Sequence, residues 1–116
     1  MEHIVTRNIF VRPFRLGKAG DKIDGHGHEF DHMTYINRGS ALIERLRNDD
    51  SVEASAVLKA GEEDNYIEIL AGERHRITAL EDFTIGHCIY SHRNPQGDVV
   101  VRYDRWNPER HLRSYE

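Results

Sequence analysis

Apolar and polar residues alternate in many short runs along this chain, and this spacing limits the possible folds more than any other feature. Gly, Asp and Asn bound the runs, and the sustained 3.6-residue spacing of an amphipathic helix is absent. Each run predicts a strand with one apolar face, and such faces are covered only in a sandwich or barrel. The sequence therefore predicts an all-β protein. The predicted strands are "HIVTRNIFV", "HMTYINRG", "ALIERLR", "ASAVLKAG", "YIEILAG", "HRITAL", "FTIGHCIY" and "DVVVRYDRW".

The segment "NDDS" at residues 48–51 predicts a hairpin between two of these strands, because Asn and Asp tolerate left-handed backbone angles. A chain of 116 residues can enclose one hydrophobic core but not two. We therefore expect a single domain over residues 1–116, with its core at about 9–105 and a C-terminal tail at about 106–116. The charged end "RWNPERHLRSYE" predicts a short helix or a loose end.

Charge and hydropathy predict a cytoplasmic protein without a nucleic acid or membrane partner. The 20 acidic and 16 basic residues are interleaved, so the basic surface that nucleic acid binding requires is missing. No apolar run approaches the roughly 18 residues of a membrane span, and "MEHIVTRNIF" lacks the layout of a signal peptide. Cys88 is the only cysteine, which excludes an internal disulfide and suits a reducing compartment. We expect it to be a small buried apolar residue.

The stretch "GHGHEFDH" at residues 25–32 concentrates three histidines and two acids. Its letters "HEFDH" match H-E-x-x-H, in which two histidines one helical turn apart bind zinc and Glu29 would activate water for peptide hydrolysis. That pattern has this meaning only on a helix. Gly25 and Gly27 each cost a helix about 1 kcal/mol relative to Ala, and "MTYIN" favours a strand. A zinc protease is therefore the remote alternative.

The same letters suit an extended chain. In a strand, His26, His28 and His32 project to one side, and Glu29 and Asp31 project to the other, where we expect them to face solvent. A further histidine, His75, follows the turn signal in "LAGERH". Neutral imidazoles are suitable ligands for zinc, iron, nickel or copper. The sequence therefore points to a metal centre with several histidines.

The spacing of these residues resembles that of the cupins. Their first motif is Gly, five residues, His-x-His, three or four residues, Glu, six residues and Gly; here the matching positions are Gly20, His26, His28, His32 and Gly39. Tyr35 also falls where such motifs often carry a tyrosine. The second motif, Pro-x-Gly-x-x-His-x-x-x-Asn after a glycine, is matched less fully. It keeps its glycine and its histidine but has lost its proline and asparagine, and its positions are Leu70, Gly72, His75 and Ala79, with Asp64 where the preceding glycine is expected and Gly61 just before it.

The resemblance implies a double-stranded β-helix of two antiparallel sheets with one divalent ion near one end. Fe²⁺ is the first choice, and Zn²⁺, Mn²⁺ or Ni²⁺ are alternatives. His32 replaces the usual Glu, so four imidazoles would leave the site charge near +2 where three imidazoles and a carboxylate leave it near +1. His32 could instead contact one of the metal-binding residues without binding the ion itself. The metal ligands implied by the resemblance are His26, His28, His32 and His75.

The resemblance further implies a small metal-dependent enzyme acting on a low-molecular-weight chelating substrate, with a dioxygenase-type oxidoreductase as the first expectation. A redox-neutral isomerase, cyclase or lyase and a non-catalytic metal-binding or ligand-binding module are the alternatives, because fold does not fix function. We expect a homodimer, for which "HIVTRNIFV" could provide the edge strand. The available proton carriers are Tyr35, His87 and Tyr90, and residues expected to shape the pocket are Phe30, Thr34, Ile36 and Ile77.

Overall fold

The regular elements of the protein are β-strands throughout the part of the chain that the structure, a computed structural model, describes: residues 4–5, 9–25, 31–91, 101–102 and 112–113. Within these residues there is no helix with the length and apolar character needed to cross a membrane. The strands in chain order are β1 (Ile4–Val5), β2 (Ile9–Leu16), β3 (Lys22–Gly25), β4 (His32–Arg38), β5 (Ser40–Leu46), β6 (Val52–Lys59), β7 (Tyr66–Ile69), β8 (Arg74–Ala79), β9 (Thr84–Ser91), β10 (Val101–Arg102) and β11 (Leu112–Arg113).

The strands form two antiparallel sheets whose pairing is nested along the chain. One sheet has the order β1-β2-β9-β4-β7 and the other has the order β3-β8-β5-β6, while β10 and β11 pair with each other. Thus β5 pairs with β6, β4 with β7, β3 with β8 and β2 with β9. This is the topology of a long two-stranded ribbon wound into a jelly roll. The predicted all-β fold of two antiparallel sheets is confirmed.

The hairpin between β5 and β6 is closed by the predicted polar turn. The backbone N–H of Arg47 donates to the Ser51 carbonyl at 2.8 Å, and Asp50 adopts a positive φ of 69°. The Asp49 carboxylate accepts from the Ser51 hydroxyl at 2.6 Å and from its backbone N–H at 3.0 Å. These bonds favour the charged carboxylate and hold the pKa of Asp49 below its ordinary value. The hairpin prediction is confirmed.

The core lies between the two sheets. Ile36 and Ile43 are 0% and 3% exposed and come from opposite sheets. Thr84 is also fully buried, and its hydroxyl is satisfied there by the carbonyl oxygens of Ser40 at 3.1 Å and Glu81 at 2.9 Å. Among the described residues, the other buried apolar side chains are Phe14, Leu16, Ala41, Leu46, Leu58, Ile69, Ile77 and Ala79.

Gly39, the last glycine of the first motif, lies where β4 turns into β5. Its φ of +78° disfavours side chains, and a Cβ at this position would press on the side chain and backbone of Thr84. Gly39 therefore lets the chain cross between the sheets directly against the core.

Three predictions about strands need correction. The segment expected as one strand at residues 3–11 is split, since β1 folds back antiparallel on β2 and pairs with Phe10 and Val11. The list of predicted strands omits β3, because "KIDG" carries a single apolar residue; its pairing with β8 forms it. The tail was expected to be a short helix or a loose end, yet its residues 112–113 pair with β10.

Candidate metal centre

Two of the predicted ligands, His32 and His75, meet in the interior. His32 begins β4 and His75 is the second residue of β8, so the two come from opposite sheets. Each is only 5% exposed, and their ring centroids lie 5.2 Å apart with planes inclined at 56°. The fold therefore brings His32, the last residue of "GHGHEFDH", next to His75, which is distant in the sequence.

Two loops hold this pair in place. The Asp31 carboxylate accepts from the backbone N–H of Ala71 at 2.7 Å, which ties the residue before His32 to the turn before His75. That turn contains Gly72, with a φ of +83°, and is closed by the Glu73 N–H donating to the Leu70 carbonyl at 3.1 Å. Asp31 is exposed, as expected for an acid at the rim. Only a residue that tolerates positive φ lets the chain enter β8 in this way.

The tautomer of His75 is influenced by its own loop. Its Nδ1 lies 3.5 Å from the Glu73 carbonyl oxygen, at the limit of a hydrogen bond. A proton on Nδ1 directed at this carbonyl puts the ring's lone pair on Nε2, and such an orienting carbonyl is a common partner of metal-binding histidines.

The other predicted ligands, His26 and His28, lie outside the described residues, as do Glu29 and Phe30. Gly25, which precedes His26 in the sequence, pairs directly with His75. Within the described ranges, no group of three or more His, Cys, Asp or Glu side chains could hold an ion. The four-histidine site therefore stays a prediction of which His32 and His75 are the described part.

The separation of the His32 and His75 rings can be compared with that of two ligands of one metal ion. A metal to nitrogen distance of about 2.1 Å places an imidazole centre about 3.2 Å from the ion, so two ligand rings at roughly 105° have centroids about 5 Å apart. The observed 5.2 Å agrees with this separation. Imidazole nitrogen suits divalent iron, zinc and nickel alike.

His32 begins a strand, and this finding excludes the continuous helix that a zinc protease requires. In H-E-x-x-H sites both histidines lie on one helix, one turn apart. Here the second histidine of "HEFDH" is followed by extended chain through Arg38. The interpretation of the stretch as a protease motif is therefore wrong.

Tyr90 is the proposed proton carrier that lies on the same face as the histidines. Strand register aligns Phe10, Tyr90 and His32 as direct neighbours across β2, β9 and β4. The Tyr90 ring meets His32 edge-on at 6.4 Å between centroids and lies 4.8 Å from Phe10. A phenol beside the pair can donate or accept a hydrogen bond at the site.

The other two candidate proton carriers, Tyr35 and His87, lie on the opposite face of the same sheet. They are direct neighbours in the β4 and β9 register, and their rings stack at 5.0 Å with an interplanar angle of 14°. His87 Nδ1 is buried and has no hydrogen-bond partner among the described residues. The structure therefore separates this pair from His32 and His75.

The remaining pocket candidates and the cysteine form the interior below the histidines. Thr34, Ile36 and Ile77 are at most 2% exposed and pack within the core. The Cys88 sulfur lies 3.4 Å from the Thr34 hydroxyl. Burial raises the pKa of the Cys88 thiol, and the Thr34 hydroxyl and the Arg12 charge offset part of this shift. Cys88 is therefore a neutral thiol at physiological pH.

Arg45 is a neighbour of the site that the sequence analysis missed. It pairs with His75 across β5 and β8, on the face that carries the buried Ile43. Its Nε lies 3.2 Å from Glu53 and its Nη1 lies 3.6 Å from Glu73. The alternation in "ALIERLR" could have revealed it, because Ala41, Ile43 and Arg45 share one face.

No family model matches this chain, and no curated protein matches it. Several solved structures do match it. The protein BH2720 of Bacillus halodurans aligns with a TM-score of 0.65 and 18% identity over 84% of this chain and 74% of its own. The formate complex of oxalate decarboxylase from Lactobacillus farciminis gives 0.60 and 19% over 80% of this chain. Drosophila melanogaster CENP-C bound to CAL1 gives 0.55 and 22%, over 72% of this chain and 60% of that one.

The chain spans only 25% of the length of the oxalate decarboxylase. Structural similarity at sequence identities this low establishes the fold but does not establish the activity. Together with the nested antiparallel pairing, the alignments support the resemblance found in the motifs. The chain has the cupin fold, a jelly roll of two antiparallel sheets.

Proposed function

We propose that this protein is a small metal-dependent cupin enzyme acting on a low-molecular-weight chelating substrate, with an oxygenase of the dioxygenase type as the first candidate. The observation that carries the proposal is the contact of two buried imidazoles from opposite sheets, His32 and His75. Neutral imidazole nitrogens are ligands that suit divalent iron, zinc and nickel. A divalent ion held by these two residues would be completed by His26 and His28.

A site without a first-motif carboxylate favours anionic or enolic oxygen donors. Imidazole ligands are neutral, so the positive charge of the ion is not reduced by its protein ligands when His32 replaces Glu. The bound ion would supply Lewis acidity and, if it is Fe²⁺, access to dioxygen chemistry. A substrate that offers two oxygens is suited to such a centre.

The chain itself would orient the substrate and limit the entry of water. Tyr90 stands beside His32 and can hold a proton on its hydroxyl or donate it to an oxygen of the substrate. Ile69 is 4% exposed and pairs with His32 on the other side, so the pair is flanked by an apolar wall. Such a wall strengthens the polar contacts made inside it.

Two further functions can be distinguished from the first. One differs in the identity of the bound metal, and the other differs in that no substrate is turned over. Zn²⁺, Mn²⁺ or Ni²⁺ in place of Fe²⁺ would favour redox-neutral isomerase, cyclase or lyase chemistry. The likeness to CENP-C, solved in complex with CAL1, favours a non-catalytic binding module as the other candidate. Such a module, with or without bound metal, would show no turnover.

The test is elemental analysis of untagged protein, reported as metal per chain. We expect close to one equivalent in the wild type, loss in His32→Ala and in His75→Ala, and retention in the control His87→Ala. His87 is matched because it lies on β9, next to β4, but on the opposite face from the pair. Wild-type protein without metal after anaerobic reconstitution, or equal metal in His75→Ala, would refute the metal centre.

A further inference from the structure

A cleft opens between the free edges of the two sheets and leads to His75. Its volume is about 80 Å³. One wall comes from β5 and β6, with Ile43, Ala54 and Ala56, and the other comes from β7, with Ile67 and Ile69. The cleft is continuous with the histidine pair, because Ile69 is the cross-strand neighbour of His32.

The size of the cleft restricts what can occupy it. A cavity of about 150 Å³ accommodates benzene, so a volume of about 80 Å³ accommodates a group of roughly three or four non-hydrogen atoms. Ile43 and Ile69 are 3% and 4% exposed and give the inner part an apolar surface. The cleft therefore suits one small branch of a ligand rather than a whole cofactor.

The charges around the cleft oppose an anionic occupant. Arg45, the cation among its lining residues, is held by the carboxylates of Glu53 and Glu73. Glu44, also among the lining residues, is paired with Arg76 at 3.0 Å. An incoming carboxylate would compete with two glutamates for Arg45 and would lose its hydration against apolar walls.

We propose that this cleft binds a small uncharged branch of the substrate, aliphatic or carbonyl-bearing and of three or four non-hydrogen atoms, with the chelating oxygens next to His75. The assignment of this branch to a substrate rests on the proposed function. The binding preference of the cleft does not, because it follows from the lining residues alone.

Acetone and acetate are suitable probes, because they match in size and shape and differ in charge. The full chain, with its isoleucine methyl groups labelled, is titrated with each probe as purified and again after metal removal with EDTA. We expect acetone to shift the methyl signals of Ile43, Ile67 and Ile69 in both samples. Affinity in the millimolar range or weaker is expected for so small a ligand. In the metal-free sample acetate should bind at least about tenfold more weakly than acetone.

Ala56→Leu fills the cleft, and Val57→Leu is its matched control. Ala56 lines the cleft, whereas Val57, the next residue on β6, points away and is 61% exposed. We expect Ala56→Leu to weaken acetone binding at least about tenfold and Val57→Leu to leave it unchanged within about twofold. Contacts between acetone and the methyl groups of Ile67 and Ile69, measured by nuclear Overhauser effects on wild-type protein, test the location without any variant.

Acetate binding as tight as acetone in metal-free protein, with loss of that binding in Arg45→Met, would overturn the proposal in favour of an anion site. Acetone binding that survives Ala56→Leu would also overturn it. If metal is present at one per chain and acetone does not bind, the cleft proposal fails alone. If acetone binds as expected and metal is absent, the metal centre fails and the binding preference of the cleft stands.

Discussion

Gly86→Ala tests which side of β9 faces the interior, and therefore whether Tyr90 or His87 belongs to the site. Gly86 lies between Phe14 on β2 and Ile36 on β4. An added Cβ would lie 2.7 Å from the Tyr35 carbonyl oxygen and 2.9 Å from Phe14 Cε1, closer than real Cβ contacts allow. The Tyr35 oxygen belongs to the backbone of β4 and cannot retreat without disturbing the pairing with β9.

The expected cost of this overpacking is about 1–3 kcal/mol in the free energy of unfolding. An unfolding entropy of about 2.1 cal/mol/K per residue gives about 0.24 kcal/mol/K for 116 residues, so Tm should fall by about 4–12 °C. Urea denaturation followed by circular dichroism, together with calorimetry, measures both quantities.

The control for this substitution is Gly17→Ala. Nothing lies within 4 Å of a Cβ at Gly17, and we expect its stability to change by less than about 0.5 kcal/mol. If Gly86→Ala is as stable as Gly17→Ala, the assigned face of β9 is wrong. His87 would then face inward in place of Tyr90, and the role proposed for Tyr90 would fail.

Three further predictions concern hydrogen bonds and titration. Thr84→Val should cost about 0.5–1.5 kcal/mol in urea denaturation, because the Ser40 carbonyl loses this donor but keeps the backbone N–H of Leu80 at 2.9 Å. Because folding raises the pKa of Cys88, the free energy of unfolding should keep its full value below the ordinary thiol pKa of 9.0 and should decrease as the pH rises above it. In Cys88→Ala part of this decrease at alkaline pH should be absent when the free energy of unfolding is measured against pH. The lowered pKa of Asp49 contributes stability above its ordinary value of 3.8 that is lost in acid, so Asp49→Asn should be less stable than wild type at pH 7 and the difference should shrink below 3.8.

The strands were predictable wherever an apolar face alternates clearly. In β4, for example, His32, Thr34 and Ile36 are buried, while Met33 and Tyr35 between them are only partly buried. β3 was not predictable in this way, because only Ile23 of its residues is apolar. Its extended form depends on pairing with β8, which is distant in the sequence, and local composition does not encode such a partner.

The site was only partly predictable for a related reason. Residue parity gives the face of a strand but does not say which strand lies opposite, so parity alone could not join His32 to His75. The spacing of the cupin motifs supplied that partner. Tyr35, His87 and Tyr90 stood as equal candidates, although parity already puts Tyr35 on the face opposite His32. The register of β4 against β9 separates Tyr90 from the other two. Arg45 was overlooked because a charged residue near a strand end is usually exposed, as its side chain is, and only the register of β5 against β8 places it beside His75.

The interior of this jelly roll carries its two histidines and Tyr90 at one end, whereas the buried polar groups at the other end, Thr84 and Ser40, are used in hydrogen bonds that hold the fold. Nested pairing aligns the strands so that corresponding ends meet, and the two histidines and Tyr90, from three strands, collect at the same end. At that end the proposed metal centre and the small cleft lie side by side, because His75 belongs to the pair and also lines the cleft. The inward-facing residues, from the histidine end to the opposite end, are His32, Thr34 and Ile36 on β4, His75, Ile77 and Ala79 on β8, and Tyr90, Cys88 and Gly86 on β9.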